Sequence, residues 1–247
     1  MTDSIILTGM VIKSSNVGDY DKRLVLLTKE RGKIVAFARG ARRVKSTLVS
    51  GTRLFAFGEF TLYEGKEAYT LSRADIDNYF TEISADMEAM CYGCYFLEFA
   101  DYFSRENIES TELLKLIYQT LRALMNKKIQ NRLIKCVFEL KVLVINGVYP
   151  EMFECVSCKS GNIKGFSAIK GGMLCETCRG KAGDTADIET STIYAMQYVI
   201  TSKIEKLYTF LVKDEVLLEL EFIMKRCLNI YVEKEFNSLK ILNTILK

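Results

Sequence analysis

Over the first 80 residues the apolar positions come in short runs rich in β-branched and aromatic side chains, punctuated by Gly, Asn and Asp. ILTGMVIKSS, RLVLLTKERGKIVAFARG and RLFAFGEFTLYEGKEAYTLSRADI carry this pattern, which predicts strands joined by tight turns. Val25 and Leu27 on one side of KERGK, and Ile34, Ala36 and Ala38 on the other, alternate as a hairpin requires. FTLYEGKEAYTL predicts a second hairpin with Glu64-Gly65 at its turn. About five strands without a long helical pattern predict a small closed or partly closed β-barrel, because an open two-stranded ribbon is not stable alone.

From Ser84 the period becomes helical. Met87, Met90, Cys91, Cys94, Tyr95, Leu97, Tyr102 and Phe103 recur at helical spacing, with Ser84 placed as an N-cap. A second helix is expected after Ser110, and a third over roughly 129–146, ending at Asn146-Gly147 with the only proline, Pro150, just beyond. Residues 191–212 and 214–233 read as two more. The expected fold class is α+β and multidomain. It comprises a β-barrel domain over 1–80, an α-helical domain over 81–150 and 185–247, and a cysteine-bearing segment over 151–184 set into the helical part.

That segment carries the sharpest chemical signal. Cys155-x2-Cys158 and Cys175-x2-Cys178 are separated by 16 residues. Each C-x-x-C bends tightly enough to put two thiolates on one edge of a tetrahedron, and two such knuckles complete the four-sulfur shell that Zn2+ prefers. The intervening KSGNIKGFSAIKGGML has the Gly content and short β pattern of a zinc ribbon. Four protein ligands leave no position for substrate, so one structural Zn2+ per chain is expected. Two disulfides or an iron–sulfur cluster are the weaker readings, the first because a cytosolic chain rarely keeps disulfides. Cys91-x2-Cys94 lies inside an apolar helical stretch and reads as packed thiols, as do Cys136 and Cys227.

Charge then divides the chain. Residues 29–53 hold eight basic side chains against the single acid Glu30, a net +7, whereas the whole chain is only +3. Residues 54–110 hold 12 acids against three bases. A chain polarised this sharply has a partner for one face. The absence of histidine removes the commonest general base and every Ser-His or Cys-His pair, so a non-enzymatic role is expected. No apolar run reaches the roughly 18–20 residues of a membrane span. MTDSIILTGMVIKSS lacks the basic n-region of a signal peptide, so the expected location is the cytoplasm, with no membrane partner.

Within the basic stretch, ARGARRVKS places Arg39, Arg42, Arg43 and Lys45 within seven positions and no carboxylate among them. A solvated loop, an acidic protein partner and nucleic acid all fit such a run. Its context favours nucleic acid. Arg31 and Lys33 precede it in a strand–turn–strand unit, Arg53 follows, and Ser46 can donate to a phosphate oxygen. Phe37, Phe55, Phe57 and Tyr63 are candidates to stack on bases, although barrel core is the favoured reading of each taken singly. No base-reading motif is present, so binding would rest on phosphates and depend steeply on salt.

The stretch GMVIKSSNVGDYDKRLVLLTKERGKIVAFARGARRVKS, then Tyr149-Pro150, ECVSC, Phe166, Gly171-Gly172 and LCETC, resembles in that order the bacterial RecO family of recombination mediators. The resemblance runs over the whole chain. It implies an N-terminal OB-fold, a helical domain and a zinc-binding segment set into it. It also implies that the OB-fold takes part in binding single- and double-stranded DNA and that the protein anneals complementary strands. Working with RecR, it would help place RecA on DNA covered by single-strand binding protein, whose acidic, hydrophobic C-terminal tail it would contact through the helical domain. Some members of the family lack the cysteines, which marks the metal as architectural. The implied DNA surface is Arg39, Arg42, Arg43 and Lys45, supported by Arg31, Lys33 and Arg53. For the tail, the candidate cations are Arg122, Arg132 and Lys135, and a solvated surface explains these as well. Two other classes stay open. One is a zinc-ribbon interaction module that never touches nucleic acid. The other is a metal-dependent nuclease using Asp75, Asp77 and Glu59.

Overall fold

The computed structural model describes residues 4–245, so the first three residues of the signal-peptide reading and the last two of the 185–247 span lie outside it. The described residues fall into two compact units, one drawn from Met1–Met125 and Phe236–Lys247, the other from Asn126–Glu235.

In the first unit the chain forms β1 (Ser4–Val17), β2 (Asp21–Thr28), β3 (Gly32–Ala38), β4 (Phe57–Glu64) and β5 (Tyr69–Asn78). These close into a barrel in the order β1-β2-β3-β5-β4, with β1 pairing both β2 and β4 and a short parallel pairing of β3 with β5. A closed five-stranded barrel of this kind is the OB-fold. Its core follows from strict alternation: Leu24, Leu26, Ile34, Ala36, Phe60, Leu62 and Leu71 point inward. Register puts Leu26 opposite Ile34 and Leu24 opposite Ala36, so Val25 and Leu27 lie on the other face of β2 from the residues they were expected to join. They are nevertheless buried, because helix packing covers that face too. The turn between β2 and β3 depends on Gly32, at φ +61°, where a Cβ would collide with the carbonyls of Arg105 and Ile108.

Next come α1 (Thr81–Ser84), α2 (Met87–Phe103) and α3 (Thr111–Leu124). The N-cap of α2 is Asp86, whose carboxylate accepts from the Ala89 N–H at 3.0 Å, because Ser84 is itself the last residue of α1. Tyr92, Tyr95, Phe96 and Phe99 form the buried face of α2. Cys91 and Cys94 are free and half-buried on the same helix, and burial raises the Cys94 thiol above its ordinary value.

The second unit opens with α4 (Asn131–Ile145), which ends in a Schellman turn. Gly147 sits at φ +71°, with Gly147 N–H bound to the Val144 carbonyl and Val148 N–H to that of Leu143. Then follow β6 (Ile163–Ser167), β7 (Gly172–Cys175), α5 (Glu176–Arg179) and β8 (Ala186–Asp187), the strands forming one sheet in the order β7-β6-β8. α6 (Thr190–Thr201) and α7 (Asp214–Tyr231) pack on α4. The helix expected over 191–212 stops at Thr201. Buried Lys141 donates to the carbonyls of Val199, Ile200 and Ser202 at 3.2, 3.1 and 2.7 Å, satisfying the helix end where it stands. α8 (Asn237–Ile245) returns to the first unit, where Glu98 accepts from Ser238 N–H at 3.0 Å and Phe236 meets Tyr95 edge-on at 5.7 Å. Cys136 and Cys227 are buried, and desolvation raises both thiols, Cys227 to about 12. Among the described residues no helix is long and apolar enough to cross a membrane.

Candidate nucleic-acid interface and metal centre

The cationic run begins where β3 leaves the barrel. Ala41 and Leu48 are buried and pin the loop at two points, leaving Arg42, Arg43 and Lys45 exposed between them and Arg39 exposed just before. Gly40, at φ +64°, donates its N–H to the Asp21 carboxylate at 2.7 Å. Arg42 donates its N–H to the Tyr20 carbonyl at 2.9 Å and its guanidinium to the Gly18 carbonyl at 3.3 Å. The loop is thereby fastened to the β1–β2 turn. Among the described residues no carboxylate lies within ion-pair distance of the four cations. Arg39, Gly40, Arg43, Lys45, Ser46 and Ser72 are among the residues lining an open groove of about 380 Å³.

Arg53 belongs to the same surface, together with a residue the sequence reading missed. Burial lowers the pKa of Lys22, and the nearby charges of Arg53 and Arg42 lower it further, which marks a concentration of positive charge at the root of the loop. The signal was available in the hairpin register, since Lys22 pairs with Ala38, the residue before Arg39. Arg31 and Lys33 stand elsewhere. They lie at the opposite end of β3 from Arg39, roughly 20 Å along a strand of that length. Lys33 pairs with Asp101 at 3.3 Å and Arg31 with Glu64 at 3.6 Å. Burial pushes the Asp101 carboxyl up, but Lys13 and Lys33 together outweigh it and hold the group below its ordinary value.

The four candidate aromatics divide. Phe55 is buried at φ +69° with its ring against Gly93, and Phe57 packs on Tyr118 with centroids 4.7 Å apart. Phe37 and Tyr63 face outward. Register aligns Arg23 with Phe37, Phe37 with Thr70 and Thr70 with Tyr63, giving one row across the outer face of four strands. Tyr20 is half-exposed beside the loop, with the Arg43 guanidinium 5.3 Å from its ring centroid.

The two cysteine knuckles meet. Cys155 and Cys158 lie on a turn closed by Lys159, which takes φ +63° and donates its N–H to the Cys155 carbonyl at 2.9 Å. Cys175 ends β7 and caps α5, which carries Cys178. The β6–β7 turn relies on Gly171-Gly172: Gly171 is at φ +78°, and a Cβ on Gly172 would strike the backbone of Glu151. All four Sγ atoms lie within 4.8 Å of one another, and Cys158 and Cys175 are 3.5 Å apart. A tetrahedron of Zn–S bonds near 2.3 Å needs sulfurs about 3.8 Å apart, within that range. Burial pushes the Cys155 thiol up, but backbone N–H groups of Cys175, Cys158 and Ser157 overcome it and bring it down to about 6. The Cys178 thiol, hydrogen-bonded to its Cys175 and Cys158 neighbours, is pushed up to about 12. Four soft sulfur donors at this mutual separation are placed to hold a metal ion.

Among the described residues this is the only group of three or more His, Cys, Asp or Glu side chains gathered closely enough to bind an ion. Asp75, Asp77 and Glu59 do not form one, and Asp75 is engaged with Arg73 at 2.8 Å. Of the helical cations, Arg132 pairs with Glu221 and Lys135 with Glu139, while Arg122 is exposed.

Comparison with known proteins agrees over the length of the chain. Residues 1–80 match the family model "Recombination protein O N terminal", and residues 84–240 match "Recombination protein O C terminal". Relatives named "DNA repair protein RecO" include that of Acetivibrio thermocellus, 32% identical over 240 residues and covering 96% of both chains. The Alkaliphilus metalliredigens protein of the same name is 30% identical over 240 residues, covering 96% of this chain and 98% of its own. That of Thermoanaerobacter sp. is 28% identical over 237 residues, 96% of each. A five-stranded barrel with an emergent cationic loop and a four-cysteine cluster in the helical half, matched end to end by these relatives, places the chain in the RecO family of DNA repair proteins.

Proposed function

We propose that the protein is a non-enzymatic strand-handling factor of recombinational repair. It binds single- and double-stranded DNA through Arg39, Arg42, Arg43, Lys45 and Arg53, joined by Lys22, and it anneals complementary strands. Neutralising phosphates on two strands lowers their mutual repulsion, so complementary bases can meet. Arg31 and Lys33, each beside a carboxylate, contribute more weakly to the field. With RecR the protein helps load RecA onto strands covered by single-strand binding protein, whose C-terminal tail it contacts through its helical part. Its work is done in the cytoplasm.

One observation carries this reading: four exposed cations sit on a loop fastened at both ends, and none has a carboxylate partner among the described residues. Ordinary solvated loops mix their charges, whereas a phosphate surface keeps one sign. Zn2+ at Cys155, Cys158, Cys175 and Cys178 is supported by four soft donors at the separation a tetrahedral shell needs. When bound it supplies cross-linking to a segment whose own small core is Cys155, Leu174 and Cys175. No ligand position remains for water, so the chain's residues there hold structure and move no proton.

The test is annealing of complementary labelled oligonucleotides, bare and coated with single-strand binding protein. Faster annealing than the spontaneous rate on both is expected. No acceleration on either would remove the proposal, and loss of full-length strand with Mg2+ would replace it by a nuclease.

A further inference from the structure

We propose that Tyr20, held beneath Arg43, is a stacking platform for an unpaired base, so that the interface takes single strands by base as well as by phosphate. This deepens the DNA-binding reading and rests on it. Tyr20 lies in the turn between β1 and β2 and is 53% exposed. The turn itself is fixed in place, by Gly40 N–H on Asp21, by Arg42 N–H on the Tyr20 carbonyl, and by the Arg42 guanidinium on the Gly18 carbonyl. The exposed Arg43 side chain lies against this turn. Its stem passes over Gly40, 3.4 Å from where a Cβ would stand, and its guanidinium lies 5.3 Å from the centre of the Tyr20 ring.

Two planar groups are thus held together before any ligand arrives, which cuts the ordering cost of binding. Both a phenol ring and a guanidinium offer flat faces on which a base stacks without regard to its identity. Arg42, whose N–H holds the Tyr20 carbonyl, and Lys22, whose ammonium reaches the Thr52 carbonyl next to Arg53 at 3.5 Å, bring positive charge beside the pair for the flanking phosphates. Bases within a duplex are already stacked on both faces and cannot use the platform. Duplex is therefore held through phosphates alone, and single strands through phosphates and one stacked base.

The experiment measures full-length protein binding, by fluorescence anisotropy across a salt series, to two labelled strands of equal length. One is oligothymidylate and the other carries abasic sites in place of bases. Wild-type protein is expected to bind the base-bearing strand more tightly. Tyr20→Ala weakens that binding about five- to tenfold, leaves the abasic strand within twofold, and leaves both salt slopes unchanged; Tyr20→Phe behaves as wild type. Unchanged oligothymidylate binding by Tyr20→Ala overturns this inference alone. So does equal weakening on both strands, which would make Tyr20 only a seat for Arg43. Absence of wild-type binding to either strand at low salt overturns the DNA-binding reading and this inference with it.

Discussion

The ammonium of Lys141 donates to the carbonyl of Ser202 at 2.7 Å, in the interior of the second unit. The same group reaches the carbonyls of Val199 and Ile200, so one lysine on α4 satisfies the open end of α6 and holds two helices together. A cation at a helix C-terminus also faces the negative end of the macrodipole.

Lys141→Met keeps most of the apolar stem and removes the donors, stranding buried carbonyls. A loss of about 2–4 kcal/mol is expected in urea unfolding of the intact chain. Lys141→Ala should lose more, since the packed stem goes as well.

Asp101 gives the barrel unit a pH dependence of known sign. Lys13 at 2.7 Å and Lys33 at 3.3 Å hold its carboxyl below the ordinary value in the folded state. A carboxyl depressed on folding adds stability above its unfolded pKa, near 3.9, and loses it as pH falls through the folded value. Thermal melts between about pH 5 and pH 2 should show this loss. Asp101→Asn should flatten that part of the profile and cost about 1–2 kcal/mol at neutral pH.

The cysteine cluster predicts one zinc per chain by metal analysis. Cys155→Ser or Cys175→Ser should abolish it and expose the two knuckles to protease, because the apolar cluster around them is only Cys155, Leu174 and Cys175 with a few half-buried neighbours. Acid should release the metal, since protons compete for the thiolates. Soluble protein with four titratable thiols at these positions and no bound metal would contradict the assignment.

The barrel, the helices and the cysteine cluster were legible in the chain because each rests on a local period or spacing. Ile34, Ala36 and Ala38 alternate into the core from a strand that pairs with its sequence neighbour, and C-x-x-C needs only a turn. What escaped was decided by tertiary partners. Lys141 lies more than 50 residues from the helix end it closes. The burial of Val25 and Leu27 depends on helices packed outside the barrel. Arg31 and Lys33 looked continuous with ARGARRVKS in sequence, but a seven-residue strand carries the chain to the far end of the barrel, where Glu64 and Asp101 wait. Lys22 and Tyr20 escaped because they precede the basic run by a whole hairpin, although the register brings them to its root.

The central claim, that the pinned cationic loop is the phosphate-binding surface, is tested most directly by one binding series. The variant carries Arg39→Gln, Arg42→Gln, Arg43→Gln and Lys45→Gln together, all at exposed positions, and affinity for a labelled single strand is followed against salt concentration. Each lost phosphate contact removes about 0.7 from the slope of log K against log salt on single strands. The variant should therefore bind at least tenfold more weakly at low salt, with a slope shallower by roughly 2–3. Wild-type affinity and wild-type slope in the variant would contradict the account.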